Sequence, residues 1–246
     1  MSDVSQIAAF IKKASAITVL TGAGVSTASG IPDFRSASGV WTEDRSREYY
    51  MSTRYFSRDP IDFWKRYKEI FHIKLMQNYK PNLVHTFLKE LEKEKQVYVV
   101  TQNVDGLHQA AGSSSVIEYH GSLRTATCPA CGSKKSAAQI VEEEIPRCDN
   151  ESCQTIVRPD IVLFGDRILK HSEAEQIIDS SDFILTLGTS LQVSPFNLLP
   201  EYAVYERGLP AALVNGERTM MDSLFTLTLR GDLSQTITAL KKELSN

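Results

Sequence analysis

Four short apolar runs rich in β-branched residues, Ala16–Thr21, Val97–Thr101, Phe183–Leu187 and Ala211–Val214, each end in a polar or glycine turn. Apolar character unbroken by polar alternation is the pattern of a strand buried on both faces, and helical patterns fall between several of the runs. In NLVHTFLKELEKEK, residues 82–95, Leu83, Phe87, Leu88 and Leu91 mark one buried helical face just before the run QVYVV. The alternation predicts the α/β class: a parallel sheet with helices on both faces.

Two stretches interrupt the alternation. Between Arg35 and Pro81 no strand pattern occurs, but Asp59-Pro60 offers a helix cap and a first-turn proline, and Phe63, Tyr67, Ile70 and Phe71 repeat at helical spacing. This reads as a mostly helical insertion. The second interruption, about Arg124 to Val157, is polar and too short to build a core unaided. No internal repeat, low-complexity segment or flexible linker separates the parts.

Composition narrows the picture. A chain of 246 residues has room for one large domain, or a large domain carrying a small one, and enough length to bury a core. Formal charge is −3 with Lys and Arg spread along the chain, so no basic block suggests a nucleic-acid or membrane surface. The start, MSDVSQIAAFIKKASAI, has neither the order of a signal peptide nor a run of membrane-spanning length, and a cytoplasmic location is expected. Oligomeric state has no signature in the residues.

All four cysteines lie between Cys128 and Cys153. CPAC supplies Cys128 and Cys131; sixteen residues later CDNESC supplies Cys148 and Cys153, the second pair spaced by four residues instead of two. Two hairpin-sized thiolate pairs at this separation suit tetrahedral zinc, and in a reducing compartment metal is favoured over the alternatives, two disulfides or free thiols. Four sulfur ligands close the coordination shell, so the ion is expected to be structural.

In TGAGVSTASG, Gly22 and Gly24 directly follow a strand, and Ser26 and Thr27 are placed to cap a helix whose amides would face an anion. A tight strand-to-helix turn without a ligand fits these residues as well. A dinucleotide fold of the dehydrogenase kind would continue into a second strand ending in a ribose-binding acid about twenty residues on. Here the chain runs instead into the loop-like GIPDFRSASGVW.

The segments GAGVSTASGIPDFR, TQNVDGLH (Thr101–His108), YHG (Tyr119–Gly121), the paired cysteines, VLFGD (Val162–Asp166), GTSLQVSP (Gly188–Pro195) and VN (Val214–Asn215) follow one another in the order seen in sirtuins, and the chain resembles that family over nearly its whole length. The resemblance implies a Rossmann-like NAD-binding domain formed by residues 1–38, 81–123 and 158–246. It implies a small domain made of the helical insertion, 39–80, and a zinc ribbon, 124–157. It also implies an NAD-dependent protein-lysine deacetylase, with NAD and acetyl-lysine proteins or peptides entering a cleft between the domains.

By the same resemblance, His120 and Asn103 are the catalytic candidates. His120 is the base that activates a ribose hydroxyl after the acetyl oxygen has displaced nicotinamide, in keeping with an imidazole that titrates near neutrality. Asn103 and Asp105 line the nicotinamide pocket, and Gln102 contacts the ribose. Gly22, Ala23, Gly24, Asp33, Phe34 and Arg35 belong to the turn and the loop closing over NAD. Gly188, Thr189, Ser190, Asn215 and Leu233 hold the adenosine half. Val162, Phe164, Gly165 and Val193 match the acyl-lysine tunnel and the edges between which a peptide is laid as an added strand. Leu163 and Asp166 depart from the Phe and Glu common in this motif. His72, His85, His108 and His171 carry no assigned role.

Sirtuins that prefer acidic acyl groups place a Tyr and an Arg one helical turn apart in the insertion; the corresponding positions here are Tyr67 and Ile70, which implies neutral acyl groups, acetyl first. Two other functions remain compatible with parts of the sequence. One is an NAD-dependent protein ADP-ribosyltransferase, which would use the same NAD cleavage. The other is a non-catalytic binding module built on the zinc ribbon, which leaves HG and TQNVD without a purpose.

Overall fold

The computed structural model of the chain describes residues 2–33, 46–76 and 79–245. The four apolar runs form the heart of one sheet: β1 (Ala16–Thr21), β2 (Gln96–Thr101), β7 (Phe183–Leu187) and β8 (Ala211–Asn215). Two shorter strands, β3 (Val116–Glu118) and β9 (Leu227–Arg230), complete the order β3-β2-β1-β7-β8-β9, and every neighbouring pair is parallel. The sequence pattern does not reveal β3 and β9 because both sit at the sheet's edges, where their residues are only partly buried and the apolar run is short.

Helices cover both faces, as a parallel sheet requires, and the short α6 (Leu107–Ala110) follows β2. On one face α1 (Asp3–Lys13), α5 (Leu83–Leu91) and α10 (Leu233–Ser245) bury Ile7, Phe87, Leu88 and Leu240 against Ile17, Val19, Val99 and Leu185. On the other, α8 (His171–Asp179) and α9 (Leu198–Glu201) set Ala174, Ile178 and Leu199 against Leu20, Val100, Ile184 and Leu213. Alternate residues of one strand therefore serve opposite layers, which is why the strands read as unbroken apolar runs. Asn82 caps α5: its Oδ1 accepts from the Val84 N–H at 2.9 Å, and its own N–H donates to His85 Nδ1 at 3.2 Å.

The insertion is helical, with α2 (Ser46–Tyr50), α3 (Thr53–Arg58) and α4 (Pro60–Met76). Asp59 caps α4, accepting from the Asp62 N–H at 2.9 Å. The cysteine segment lies beside it on a three-stranded antiparallel sheet ordered β5-β4-β6, formed by β4 (Gly121–Thr127), β5 (Lys134–Ser136) and β6 (Arg158–Ile161), with the short helix α7 (Ala137–Glu142). The two insertions share one core. Phe63, Trp64 and Tyr67 of α4 pack with Leu123, Ala126, Cys128, Ile140, Cys148 and Val157, and the Trp64 indole N–H donates to the Val157 carbonyl at 2.8 Å.

Candidate active site

A cleft of about 750 Å³ runs along the carboxyl ends of the parallel strands, the edge where ligands bind in open α/β sheets. Each strand of the large sheet except β3 passes directly into a residue of its wall: β2 into Gln102 and Asn103, β1 into Gly22, β7 into Gly188, β8 into Gly216 and β9 into Gly231. After β3, Tyr119 extends the pairing by donating its N–H to the Thr101 carbonyl at 2.8 Å, and His120 enters the wall.

The two glycine turns interlock. Gly24 donates its N–H to the Gly188 carbonyl at 2.9 Å, and a Cβ built on Gly24 would lie 2.9 Å from the Gly188 Cα. Gly188 has φ +59°, and a Cβ there would meet the Val25 nitrogen at 2.6 Å. The close approach these glycines serve within the chain is thus of one turn to the other. The expected capped helix is also absent: Ala23–Ser29 is a 3-10 helix with no side-chain cap, because its N-cap is Gly22, and Ser26 and Thr27 lie within it. Thr27 donates to the Gly24 carbonyl, and Ser26 donates its hydroxyl to Asp105 Oδ2 at 2.8 Å.

His120 is held by backbone on two sides. Its carbonyl accepts from the Val162 N–H at 2.8 Å, and its Nδ1 lies 3.2 Å from the Gln102 carbonyl. A carbonyl can only accept, so Nδ1 carries a proton, and in the neutral form of the ring the basic nitrogen is then Nε2. Beside it, Asn103 is buried, donates from Nδ2 to Ser26 Oγ at 3.1 Å, and donates its N–H to Thr101 Oγ1 at 3.0 Å. Gln102 Nε2 donates to Thr189 Oγ1 at 2.8 Å, tying the ends of β2 and β7 together.

The wall includes His120, Gln102, Asn103, Gly22, Ala23, Gly24 and Asp33 toward the centre of the sheet, and Gly188, Thr189, Ser190, Asn215 and Leu233 along its β7–β9 half. It also includes Val162, Phe164, Gly165 and Val193. Phe34 and Arg35 lie outside the described residues. Asp105 does not line the cleft; one oxygen accepts from Ser26 and the other from the Leu107 N–H at 2.9 Å, so it stands behind Asn103 in a short chain of hydrogen bonds. Ser26, the middle of that chain, is missed by a reading that gives it a capping role. Glu217 and Arg218 also line the cleft without having been singled out; their place just beyond the end of β8 is the signal that could have found them.

The loop after β6 is fixed by several contacts. Phe164 donates its N–H to the Met51 carbonyl and accepts from the Thr53 N–H, at 2.9 and 3.0 Å. Asp166 accepts from the Leu163 N–H at 2.8 Å and pairs with the Arg158 guanidinium. The wall here is apolar, from Phe71, Val104, Ile161 and Leu163, and among the described residues Arg218, after β8, is the only Lys or Arg on the cleft. Tyr67 and Ile70 lie in the same small core as Phe71; the Tyr67 ring is fully buried and its hydroxyl has no hydrogen-bond partner among the described residues.

Behind the glycine turn sit His85 and His108, both buried, their rings 4.8 Å apart. Burial pulls both below the usual histidine range, His85 to about 4, with the Asp105 charge opposing, and His108 to about 3, with His85 adding to the fall. Both are neutral at physiological pH.

The four cysteine sulfurs all lie within 4.8 Å of one another. The Sγ pairs Cys128–Cys153 and Cys131–Cys148 are 3.6 and 3.3 Å apart, so the thiols are not disulfide-bonded. Tetrahedral zinc with Zn–S bonds of about 2.3 Å separates its sulfurs by a little under 4 Å, and the donor set fits that ion. No helix among the described residues is long and apolar enough to cross a membrane.

Residues 22–195 match the model of the Sir2 family. The chain is 47% identical to NAD-dependent protein deacetylase 2 of Geobacillus kaustophilus, over 99% of each chain, and 44% identical to the NAD-dependent protein deacetylase of Bacillus subtilis, over 92% of this chain and 94% of that one. Among solved structures, a Sir2 with p53 peptide and NAD+ superimposes with a TM-score of 0.85 at 31% identity, covering 99% of this chain and 98% of that one. A Sir2 bound to acetylated peptide does so with the same score at 30% identity and the same coverage.

Proposed function

We propose that this chain, which belongs to the Sir2 family, is an NAD-dependent protein-lysine deacetylase that converts acetyl-lysine, NAD and water to lysine, nicotinamide and O-acetyl-ADP-ribose. The observation that carries this reading is His120, whose Nδ1 donates to the Gln102 carbonyl and which stands on the wall of a cleft that spans the strand ends from β2 to β9. NAD contributes the nicotinamide–ribose bond, whose cleavage exposes a ribose carbon to the acetyl oxygen. The chain contributes binding, orientation and a proton acceptor.

In this reading His120 takes the proton of a ribose hydroxyl at Nε2. Asn103, with Ser26 and Asp105 behind it, forms the nicotinamide end, and Gln102 bridges toward Thr189 beside the ribose. Gly22, Ala23, Gly24 and Asp33 flank the centre of the dinucleotide; Gly188, Thr189, Ser190, Asn215 and Leu233 take the adenosine half. Phe34 and Arg35 close over NAD. Val162, Phe164, Gly165 and Val193 receive the acyl-lysine peptide, and much of the acceleration comes from holding the two reactants in register. Residues 1–38, 81–123 and 158–246 would act as the NAD-binding domain, with 39–80 and 124–157 as the small domain. The apolar wall near Phe71 favours neutral acyl groups, since no described cation stands there to pair with an acyl carboxylate. Four thiols held as metal ligands suit a reducing compartment such as the cytoplasm.

Mass spectrometry of an acetyl-lysine peptide with and without NAD tests the reading. Acetyl is lost only with NAD, O-acetyl-ADP-ribose accumulates, and His120→Ala lowers the rate at least about 100-fold. ADP-ribose attached to the peptide or protein, with acetyl retained, would replace this reading with ADP-ribosyl transfer.

A further inference from the structure

The dipeptide Tyr119–His120 is fastened to both ends of a single loop. Val162, at the loop's start, donates its N–H to the His120 carbonyl at 2.8 Å. Just after its end, His171 of α8 places Nδ1 2.7 Å from the Tyr119 hydroxyl. Between these anchors, Ile168 packs on the apolar cluster that contains Tyr119 and also lines the cleft. Residues 162–170, which carry Val162, Phe164 and Gly165, are thereby referred at each end to the catalytic histidine and its neighbour.

The chemistry of the second anchor is directional. Glu175 lies one turn along α8 with a carboxylate oxygen 3.5 Å from His171 Nε2, which favours the proton on that nitrogen and leaves Nδ1 to accept. Tyr119 is buried, and burial together with the Glu175 charge pushes its hydroxyl above the usual phenol range, so it stays protonated and donates. The Tyr119 ring meets Phe196 edge-on at 5.1 Å and His120 at 5.3 Å, so its position is shared with the catalytic ring.

We propose that the Tyr119–His171 hydrogen bond sets the acyl-peptide edge of the cleft against His120, making Tyr119 and His171 positioning residues for the peptide and not for NAD. The inference rests on the deacetylase reading. It differs from that reading in needing no new chemistry, only that this bond adds to the contacts that hold loop 162–170 in place.

The test is the affinity of a fluorescently labelled acetyl-lysine peptide, read by anisotropy without turnover, alongside the KM for NAD. Tyr119→Phe keeps the ring and its packing, His171→Leu removes the acceptor, and His171→Asn puts an amide oxygen near the place of Nδ1. Tyr119→Phe and His171→Leu weaken peptide binding about 3–10-fold, the worth of one hydrogen bond, while His171→Asn restores it and the KM for NAD stays put in all three. Unchanged peptide affinity in Tyr119→Phe and His171→Leu overturns the proposal, as does an equal loss toward NAD, or His171→Asn failing as badly as His171→Leu. Wild-type protein that does not bind the peptide overturns the deacetylase reading, and this one with it; wild-type binding with indifferent variants overturns this one alone.

Discussion

His85 and His108 lie ring to ring behind the glycine turn, where neither can be charged without disrupting a buried site. The unfolded chain binds protons on both near pH 6.5, whereas the folded chain holds them off until about pH 4 and about pH 3. Their contribution to stability is therefore intact above the ordinary histidine range and drains as pH falls, by about 1.4 kcal/mol per pH unit for each site. Melting temperature should fall steadily from pH 6.5 toward pH 4, and His108→Gln, whose amide can keep the bond to Thr21 at the place of Nε2, should make the fall shallower. A melting temperature that is level over this range would contradict the assignment. Tyr67 offers a second check at this scale: its buried hydroxyl lacks a partner among the described residues, so Tyr67→Phe should stabilise the protein by about 1 kcal/mol and raise its melting temperature by about 2–4 °C. A fall in melting temperature would mean that the hydroxyl is bonded after all. None of this is legible in the sequence, because a histidine or tyrosine carries no local mark of its burial. His85 and His171 occupy ordinary helical positions with partners on their own helices, but the His108 ring and the Tyr119 hydroxyl that they also meet come from other segments of the chain.

The elements that the sequence reveals are those whose burial is complete. β1 and β7 appear with the predicted limits and β2 and β8 each extend by one residue, because strands covered on both faces must be apolar throughout. The segment after β1 reads wrongly for a specific reason: Ser26 and Thr27 have capping chemistry, but the 3-10 helix begins at Ala23 after Gly22, so both lie inside it and bond Asp105 and the Gly24 carbonyl. The cysteine ribbon is legible from spacing alone, although its dependence on the neighbouring helix is not. Cys128 and Cys148 are packed in the same cluster as Phe63, Trp64 and Tyr67 of α4, and Phe71 and Leu163 of that cluster line the cleft. Removing zinc, by chelation or by Cys131→Ser, should unfold the ribbon, loosen α4 and abolish deacetylation, while the six-stranded sheet keeps most of its far-UV circular dichroism. Metal-free protein, verified by elemental analysis, that retains full activity would refute this coupling.

At the scale of the whole molecule, the parallel sheet accounts for why residues so distant in sequence work together. Turns after five strands and the extension of a sixth converge on one edge, and Phe71 of the helical insertion and Ile161–Asp166, from the end of β6 onward, line the cleft with them. The glycine turn, TQN and HG motifs are legible because each lies immediately after a strand and must present fixed atoms to the cleft. Glu217 and Arg218 meet the first condition but stand in a turn with no distinctive spacing. In the proposed reaction this one cleft brings NAD and acetyl-lysine together so that each event of bond cleavage at NAD is spent on one acetyl group. The most direct measurement is the ratio of nicotinamide released to lysine freed during turnover of an acetyl-lysine peptide by the wild-type protein. The prediction is one nicotinamide for each lysine, with O-acetyl-ADP-ribose formed in the same amount. Nicotinamide released while the peptide keeps its acetyl group would contradict it.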